Sequence, residues 1–264
     1  MDASTLFDIK GKTALVTGAS GGIGHMIAGG LVSAGCRVFI CSRTAADIEA
    51  AAASIAEKAG DKGEIIPFVA DLATEAGIAA AAERVNAAGP LHILVNNAGA
   101  TWGAPLETFP RAGFEKVLNL NLVTPFELTR ALLPALRAAA TRDDPARVIN
   151  IASVDGMRVP EWESYPYSAS KSGIIQMSRH LGKFLAPDHI SVNCIAPGFF
   201  PSKMTASVVD LADEEAVAKA HSPLGARIGT AEDIAGAVIY LSSRAGAWLS
   251  GVTIPVAGGV ATIS

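Results

Sequence analysis

The stretch SYPYSASKSG, residues 164–173, places two tyrosines close to one lysine. Lys171 can serve only a tyrosine that shares its side of the local structure. On a helix of about 3.6 residues per turn, residues four apart lie roughly 40° apart around the axis, so Tyr167 and Lys171 share a face. Tyr165 is six residues from Lys171, roughly 120° away, and Pro166 is expected to leave it before the helix begins. A phenol alone has a pKa near ~10, and a close ammonium favours its phenolate. Lowering that pKa by about 2–3 units takes roughly 3–4 kcal/mol of differential interaction. Tyr167 is therefore expected to exchange protons with Lys171 as its partner. Tyr165 either borders a pocket or is simply packed. Ser153, at the end of another strand, can donate a hydrogen bond to an oxygen on which negative charge develops. No GxSxG turn surrounds Ser153, and no His/Asp pair is placed by the sequence to activate it, which argues against hydrolysis. The three side chains suit proton transfer at a carbonyl or alcohol oxygen.

The elements that must hold them alternate regularly. TALVT (13–17), RVFIC (37–41), EIIPFV (64–69), HILVN (92–96), RVINIA (147–152), ISVNCIA (190–196) and GVTIPV (251–256) read as strands. Ala-rich segments at 23–34, 44–59, 74–88, 112–140, 167–186 and 231–243 read as helices between them. Apolar strands alternating with helices predict an α/β fold: one Rossmann-like, doubly wound, parallel seven-stranded sheet with helices on both faces. Its ligand edge lies at the strands' C-terminal ends. No linker or composition break divides residues 1–264, so one domain is expected. The segment 199–230 breaks the alternation after a strand end and is expected to be a substrate lid.

The first strand runs directly into TGASGGIG, residues 17–24. Gly18 permits a tight turn, Gly22 lets the backbone approach a pyrophosphate, and Gly24 allows close helix–strand packing. Free N–H groups at the helix start favour phosphates, so Ser20, Gly21 and Ile23 join these glycines on the cofactor side. An acid at the end of the second strand would hydrogen-bond the ribose hydroxyls and favour NAD. Here that place is Ser42, followed by Arg43, whose guanidinium can pair with a 2′-phosphate and favours NADP. Asp71, with Leu72 beside it, closes the third strand where it could bond an adenine amino group; a helix N-cap would look the same.

Half of the 264 residues are hydrophobic, 17% are charged and the net charge is −4. The core can be large, and neither nucleic acid nor an anionic membrane is an expected partner. No apolar run reaches the length of a spanning helix, and the N-terminus is too polar for a signal peptide. Cys36, Cys41 and Cys194 follow no metal or redox spacing and are read as buried thiols of a cytoplasmic protein. The scattered histidines predict no metal.

TGASGGIG, NNAG at 96–99, Ser153, YSASK at 167–171 and PG at 197–198, in this order, resemble the short-chain dehydrogenase/reductase family in its single-domain form. The resemblance runs from the first strand to PVAGG near the end. More locally, RVFICSR, TWGAPLE and GFFPSKMT are similar to 3-oxoacyl reductases, particularly those associated with rhamnolipid synthesis. The resemblance implies that Tyr167 is the general acid/base, Lys171 its partner and Ser153 the carbonyl-binding hydroxyl. Asn121 would anchor a water under the lysine. Asn97, Ala98 and Gly99 would line the adenosine–ribose side. Tyr167 and Lys171 would also touch the cofactor, Lys171 at the nicotinamide ribose. Pro197, Gly198 and Phe200 would lie by the nicotinamide, and Ser202 would bond its carboxamide.

Three departures stand out. Gly21 replaces a Lys or Arg common in NADP-dependent members. Ala257 replaces an Asp before GG. The step from Ser153 to Tyr167 is one residue longer than usual, implying a small loop insertion.

Trp102, Val154, Val159, Trp162, Tyr165, Phe199 and Met204 are expected to wall the substrate pocket, favouring a carbonyl on an apolar chain. The expected reaction is NADPH-dependent reduction of a ketone, such as a 3-oxoacyl thioester, to a secondary alcohol. The alternatives are oxidation of a secondary alcohol or polyol, and a catalytically silent NADP-binding protein. Arg137 and Arg142 could begin a basic rim for an acidic carrier protein, but Asp143 and Asp144 oppose it. A free or coenzyme A-linked substrate is therefore preferred. A homotetramer, or at least a homodimer, is expected by family analogy.

Overall fold

The computed structural model describes residues 5–202, 205, 222–225 and 227–260. Most of the expected lid, including Met204, lies outside these residues.

Seven strands form one parallel sheet in the order β3-β2-β1-β4-β5-β6-β7. They are β1 (Thr13–Thr17), β2 (Arg37–Ser42), β3 (Glu64–Val69), β4 (Ile93–Asn96), β5 (Ala146–Ile151), β6 (Ile190–Pro197) and β7 (Thr253–Val256). The helices are α1 (Gly22–Ser33), α2 (Ala45–Ala59), α3 (Glu75–Ala87), α4 (Arg111–Leu118), α5 (Thr124–Ala131), α6 (Leu133–Ala139), α7 (Tyr165–Leu185) and α8 (Ala231–Ser242). Side chains of β1 alternate between two cores, as a sheet covered on both faces requires. Ala14 and Val16 meet α1, α2 and α8, while Leu15 turns to α3, α5 and α6. The expected fold is the observed one, and strand and helix limits agree within two residues except around two prolines.

The single helix expected over 112–140 is three. Pro134 lacks an N–H and clashes with the preceding turn, so α5 gives way at Leu132 before α6 starts. Between α4 and α5, Asn119–Val123 forms a π-helical turn. Such turns occur where a side chain must be aimed away from regular helical spacing; this one carries Asn121. The second correction concerns Tyr165, which opens α7 rather than preceding it. Ser164 is the N-cap, and Pro166 sits in the first turn, where its missing N–H costs nothing.

Strand order reverses at β1, so its C-terminal end opens a crevice between the loops after β1 and β4.

Candidate active site

The crevice is shaped by backbone proximity. Gly18 has φ +65°, and a Cβ there would lie 2.8 Å from Ala98 Cα. A Cβ on Gly24 would meet Asn97 Nδ2 at 2.4 Å, so the start of α1 is pressed onto the β4 loop. Asn97 turns inward and donates to the carbonyls of Thr17 (2.8 Å) and Gly18 (3.1 Å). Thr17 Oγ1 accepts from the Asn97 and Ala98 N–H groups, both at 2.9 Å. Asn97 thus braces the glycine loop, and Thr17 is a bracing residue the motif reading missed. Gly21, the N-cap of α1, has no side chain to cap the helix, which leaves the first N–H groups to an outside acceptor. Ser20, Gly21, Gly22 and Ile23 line this turn, with Ser202 against it: a Cβ on Gly22 would lie 3.0 Å from Ser202 Cβ.

At the end of β2, Ser42 Oγ donates to Thr44 O, and Arg43 is exposed with no hydrogen bond or ion pair among the described residues. Asp71 is not the N-cap of α3. That place belongs to Thr74, which accepts from Gly77 N–H, while Asp71 Oδ1 accepts from Ala73 N–H at 3.1 Å. Asp71 is exposed and Leu72 is buried beneath it, its carbonyl bonded by Thr124 Oγ1. Phosphate-facing N–H groups, a close glycine turn, no acid at Ser42 and a free cation at Arg43 together fit a dinucleotide carrying a 2′-phosphate.

The reacting side chains meet where β5 and α7 are bolted together. Ser153 caps a short 3-10 turn, Val154–Gly156, its Oγ accepting from Asp155 N–H at 3.1 Å. Gly156 has no Cβ because one would sit 2.5 Å from the Lys171 carbonyl carbon. Ser168 Oγ donates to Asp155 O (2.9 Å) and Ser172 Oγ to Gly156 O (2.8 Å). These contacts fix α7 against the turn, so the Ser153 hydroxyl hydrogen-bonds the Tyr167 phenol. Asn121 accepts from Ala100 N–H (2.8 Å) and donates to Ala100 O (2.9 Å) and Ser170 Oγ (3.0 Å). Its amide therefore ties the loop after Gly99 to α7.

The expected lowering of the Tyr167 pKa is not found. Burial pushes the phenol up to about 12, against the Ser153 hydrogen bond, and the Asp155 carboxylate adds to the rise. Lys171 does not reach the phenol. Its buried Nζ donates to Ile151 O at 2.8 Å and lies 5.5 Å from the centre of the Tyr167 ring. Burial lowers the ammonium to about 8.

A cavity of about 340 Å³ opens beyond the two hydroxyls. Of the expected wall, Val154, Trp162 and Phe199 line it, and the last two rings meet edge-on at 6.1 Å. Three others do not. Val159 is 88% exposed on the loop that the longer Ser153–Tyr167 spacing creates. Trp102 lies over Gly113 of α4 with Lys116 across its ring, because only a glycine leaves room for the indole. Tyr165 stacks edge-on with Phe109 and donates to Glu163 Oε1 at 2.7 Å. Met204 lies outside the described residues. Thr101, Gly103, Asp155, Glu163, Ser164 and Thr205 complete the lining, none of them anticipated.

Pro197 is buried at the end of β6, and Gly198 borders the cavity, backed by Ala257. Ala257 therefore acts here by packing against Gly198. Phe200 turns away: its ring is buried in the core against Gly229. Ser202 Oγ and Thr205 Oγ1 are 3.0 Å apart. Arg137 pairs with Asp188, and Asp144 with Lys12 and Arg147, where strands begin, on the edge opposite the cavity. Arg137 and Asp144 therefore carry no information about the substrate's handle.

A fixed nucleotide cradle beside a paired Ser–Tyr hydroxyl site, at one end of an apolar cavity, can present a carbonyl to a hydride donor and a proton donor together. Known proteins agree. The family model described as short chain dehydrogenase matches residues 12–213. The rhamnolipids biosynthesis 3-oxoacyl-[acyl-carrier-protein] reductase of Pseudomonas aeruginosa is 44% identical over 96% of this chain and 97% of its own. The structure of the Pseudomonas aeruginosa RhlG/NADP active-site complex matches with a TM-score of 0.89 at 44% identity, over 97% of this chain and 99% of that one. L-sorbose reductase from Gluconobacter frateurii, solved with NADPH and L-sorbose, matches with a TM-score of 0.86 at 27% identity, over 97% and 98% of the two chains. This chain belongs to the short-chain dehydrogenase family.

Proposed function

We propose that this enzyme reduces a ketone on an apolar chain, a 3-oxoacyl thioester or a similar compound, to a secondary alcohol with NADPH. One observation carries the reading: the hydrogen-bonded Ser153 and Tyr167 hydroxyls stand at the inner end of a cavity walled by Val154, Trp162 and Phe199. NADPH bound along the crevice would supply the hydride. Arg43 would hold its 2′-phosphate, the N–H groups at the start of α1 its pyrophosphate, and Asp71 its adenine. Gly99, Pro197, Gly198 and Ser202 would border its ribose and nicotinamide, and Lys171 would hold the nicotinamide ribose. Tyr167, protonated at neutral pH, gives its proton to the carbonyl oxygen, and Ser153 stabilises the charge developing there. The relatives' names support both cofactor and substrate class. Asn121 acts by positioning, through Ala100 and Ser170.

A second reading, a hydroxylated ketone or polyol, is favoured by the carboxylates of Asp155 and Glu163 in the lining, which accept hydrogen bonds from hydroxyls. We also place the enzyme in the cytoplasm as a homotetramer or homodimer. Exposed Val123 and Phe126 at α5, and Phe184 with Trp248 near β7, would be covered there. The test is the initial rate of NADPH loss with the N-acetylcysteamine thioester of acetoacetate, beside the same assay with NADH. Turnover with NADPH in preference to NADH is expected. An enzyme that binds NADPH but turns over neither this ester nor a simple ketone would refute the reading.

A further inference from the structure

Among the described residues, the charged side chains lining the substrate cavity, Asp155 and Glu163, are both acidic. Glu163 stands at the mouth in a fixed pose. Its Oε1 accepts from the Tyr165 hydroxyl at 2.7 Å and from Leu106 N–H at 3.3 Å, and its own carbonyl accepts from Ala104 N–H at 3.2 Å. Among the described residues no Lys or Arg forms an ion pair with it. Glu107 lies close enough to raise the Tyr165 phenol together with Glu163, and Glu161 is exposed two residues away. Deeper in, Asp155 is buried beside Ser153. Its Oδ1 forms a long ion pair with Arg158 Nε at 4.0 Å, so its charge is partly compensated and Glu163 carries the greater part of the unpaired negative charge. Lys116 lies over the Trp102 ring, outside the lining.

A substrate with its carbonyl on Ser153 and Tyr167 must run its tail past both carboxylates. Hydroxyl or amide N–H groups in that tail would be accepted by them. Phosphate or carboxylate groups would meet like charge in a partly desolvated channel. We propose that Glu163 and Asp155 determine specificity, selecting uncharged carbonyl substrates with hydrogen-bond donors in the tail over those on an anionic handle. The inference rests on the ketone-reducing reading and narrows its substrate class.

Two acetoacetyl thioesters with the same acyl group make the test: the uncharged N-acetylcysteamine ester and the phosphate-bearing coenzyme A ester. Wild type, Glu163→Gln and Asp155→Asn are assayed with NADPH at low and at moderate salt. Glu163→Gln retains an oxygen to accept from Tyr165 and Leu106, so its fold is kept. In wild type, kcat/KM for the neutral ester is expected to exceed that for the coenzyme A ester by about tenfold at low salt. Added salt should raise the rate on the coenzyme A ester alone, and Glu163→Gln should narrow the ratio several-fold. The salt response of wild type decides the question even if a variant fails to fold. Equal turnover of both esters, or a preference for coenzyme A that neither salt nor Glu163→Gln alters, overturns the inference and leaves the ketone reading intact. No NADPH loss with either ester, while a simple ketone is reduced, overturns the inference alone; no loss with the esters or the ketone removes both.

Discussion

Lys171 Nζ donates to the carbonyl of Ile151 at 2.8 Å, and Tyr167 is bonded instead to Ser153. The lysine therefore spends its hydrogen bond on the end of β5, and the phenol keeps its proton at neutral pH. A proton donor already charged with its proton is what ketone reduction needs; alcohol oxidation needs the phenolate. The resting site thus favours the reducing step without an ion pair.

Removing only the hydroxyl tests this assignment. Tyr167→Phe keeps the ring beside Lys171 and loses the proton and the Ser153 hydrogen bond. Turnover should fall by a factor of about 10²–10⁴ while NADPH binding, followed by its fluorescence, stays near wild type. Retained turnover would assign the proton to another group.

The pH profile should respond to Asp155. Burial comes first in holding the phenol high, and the Asp155 carboxylate adds to it, while Ser153 works the other way. Asp155→Asn removes one negative charge facing the phenol, so the phenolate becomes easier to form. Reduction needs the phenol, and its alkaline fall should begin at lower pH. Oxidation needs the phenolate, and its rise should also move to lower pH. Rates in both directions across pH 6–11 would measure this; limbs that stay put or move upward contradict it.

Lys171 carries an opposite cost to stability. Its folded pKa is depressed to about 8 by burial, below the ordinary lysine value of 10.5. Between these values the unfolded chain binds more protons, so the folded state gains stability as pH rises through that window. Below about 8 the buried charge costs the fold on the order of 3 kcal/mol. Lys171→Met should therefore be inactive yet melt at or above wild type at pH 7. The gap should close between pH 8 and 10. A variant that melts far lower at pH 7 would show that the Ile151 bond outweighs the buried charge.

What could be read from the chain follows from range. Tyr167 and Lys171 share a face because their spacing alone decides it, and Gly18, Gly22 and Gly24 signal close backbone approach because no other residue permits it. The break at Pro134 was equally local and open to reading. The π turn at Asn121 was not, since its pull comes from Ala100 and Ser170, far away in sequence. Pocket walls depend on competition between partners. Trp102 is as apolar as Trp162, yet Gly113 takes it out of the cavity, and Phe109 with Glu163 does the same to Tyr165. Asp155 and Glu163 were overlooked because an apolar count ignores the carboxylates that decide a cavity's charge. Lysine geometry was misjudged for a similar reason: a shared helix face brings two side chains together but does not choose between a phenol and a nearer backbone carbonyl.

Gly21 offers a gain of function. It is exposed, its backbone is extended at φ 177°, and a Cβ there would meet nothing within 4 Å. Arg43, at the end of the neighbouring strand, is a solitary cation in the proposed 2′-phosphate site. Arg43→Ala should weaken NADPH binding by about 10- to 100-fold, the loss expected for one charge-assisted contact, and leave NADH nearly unchanged. Gly21→Arg should add a second, solvent-exposed cation and tighten NADPH several-fold, an effect that shrinks in high salt. Fluorescence titration of both cofactors with wild type, each variant and the pair measures this. If Gly21→Arg also rescues Arg43→Ala in part, the two positions face the same phosphate. Equal changes for NADPH and NADH would instead place Arg43 away from the 2′-position and leave cofactor choice to other residues of the crevice.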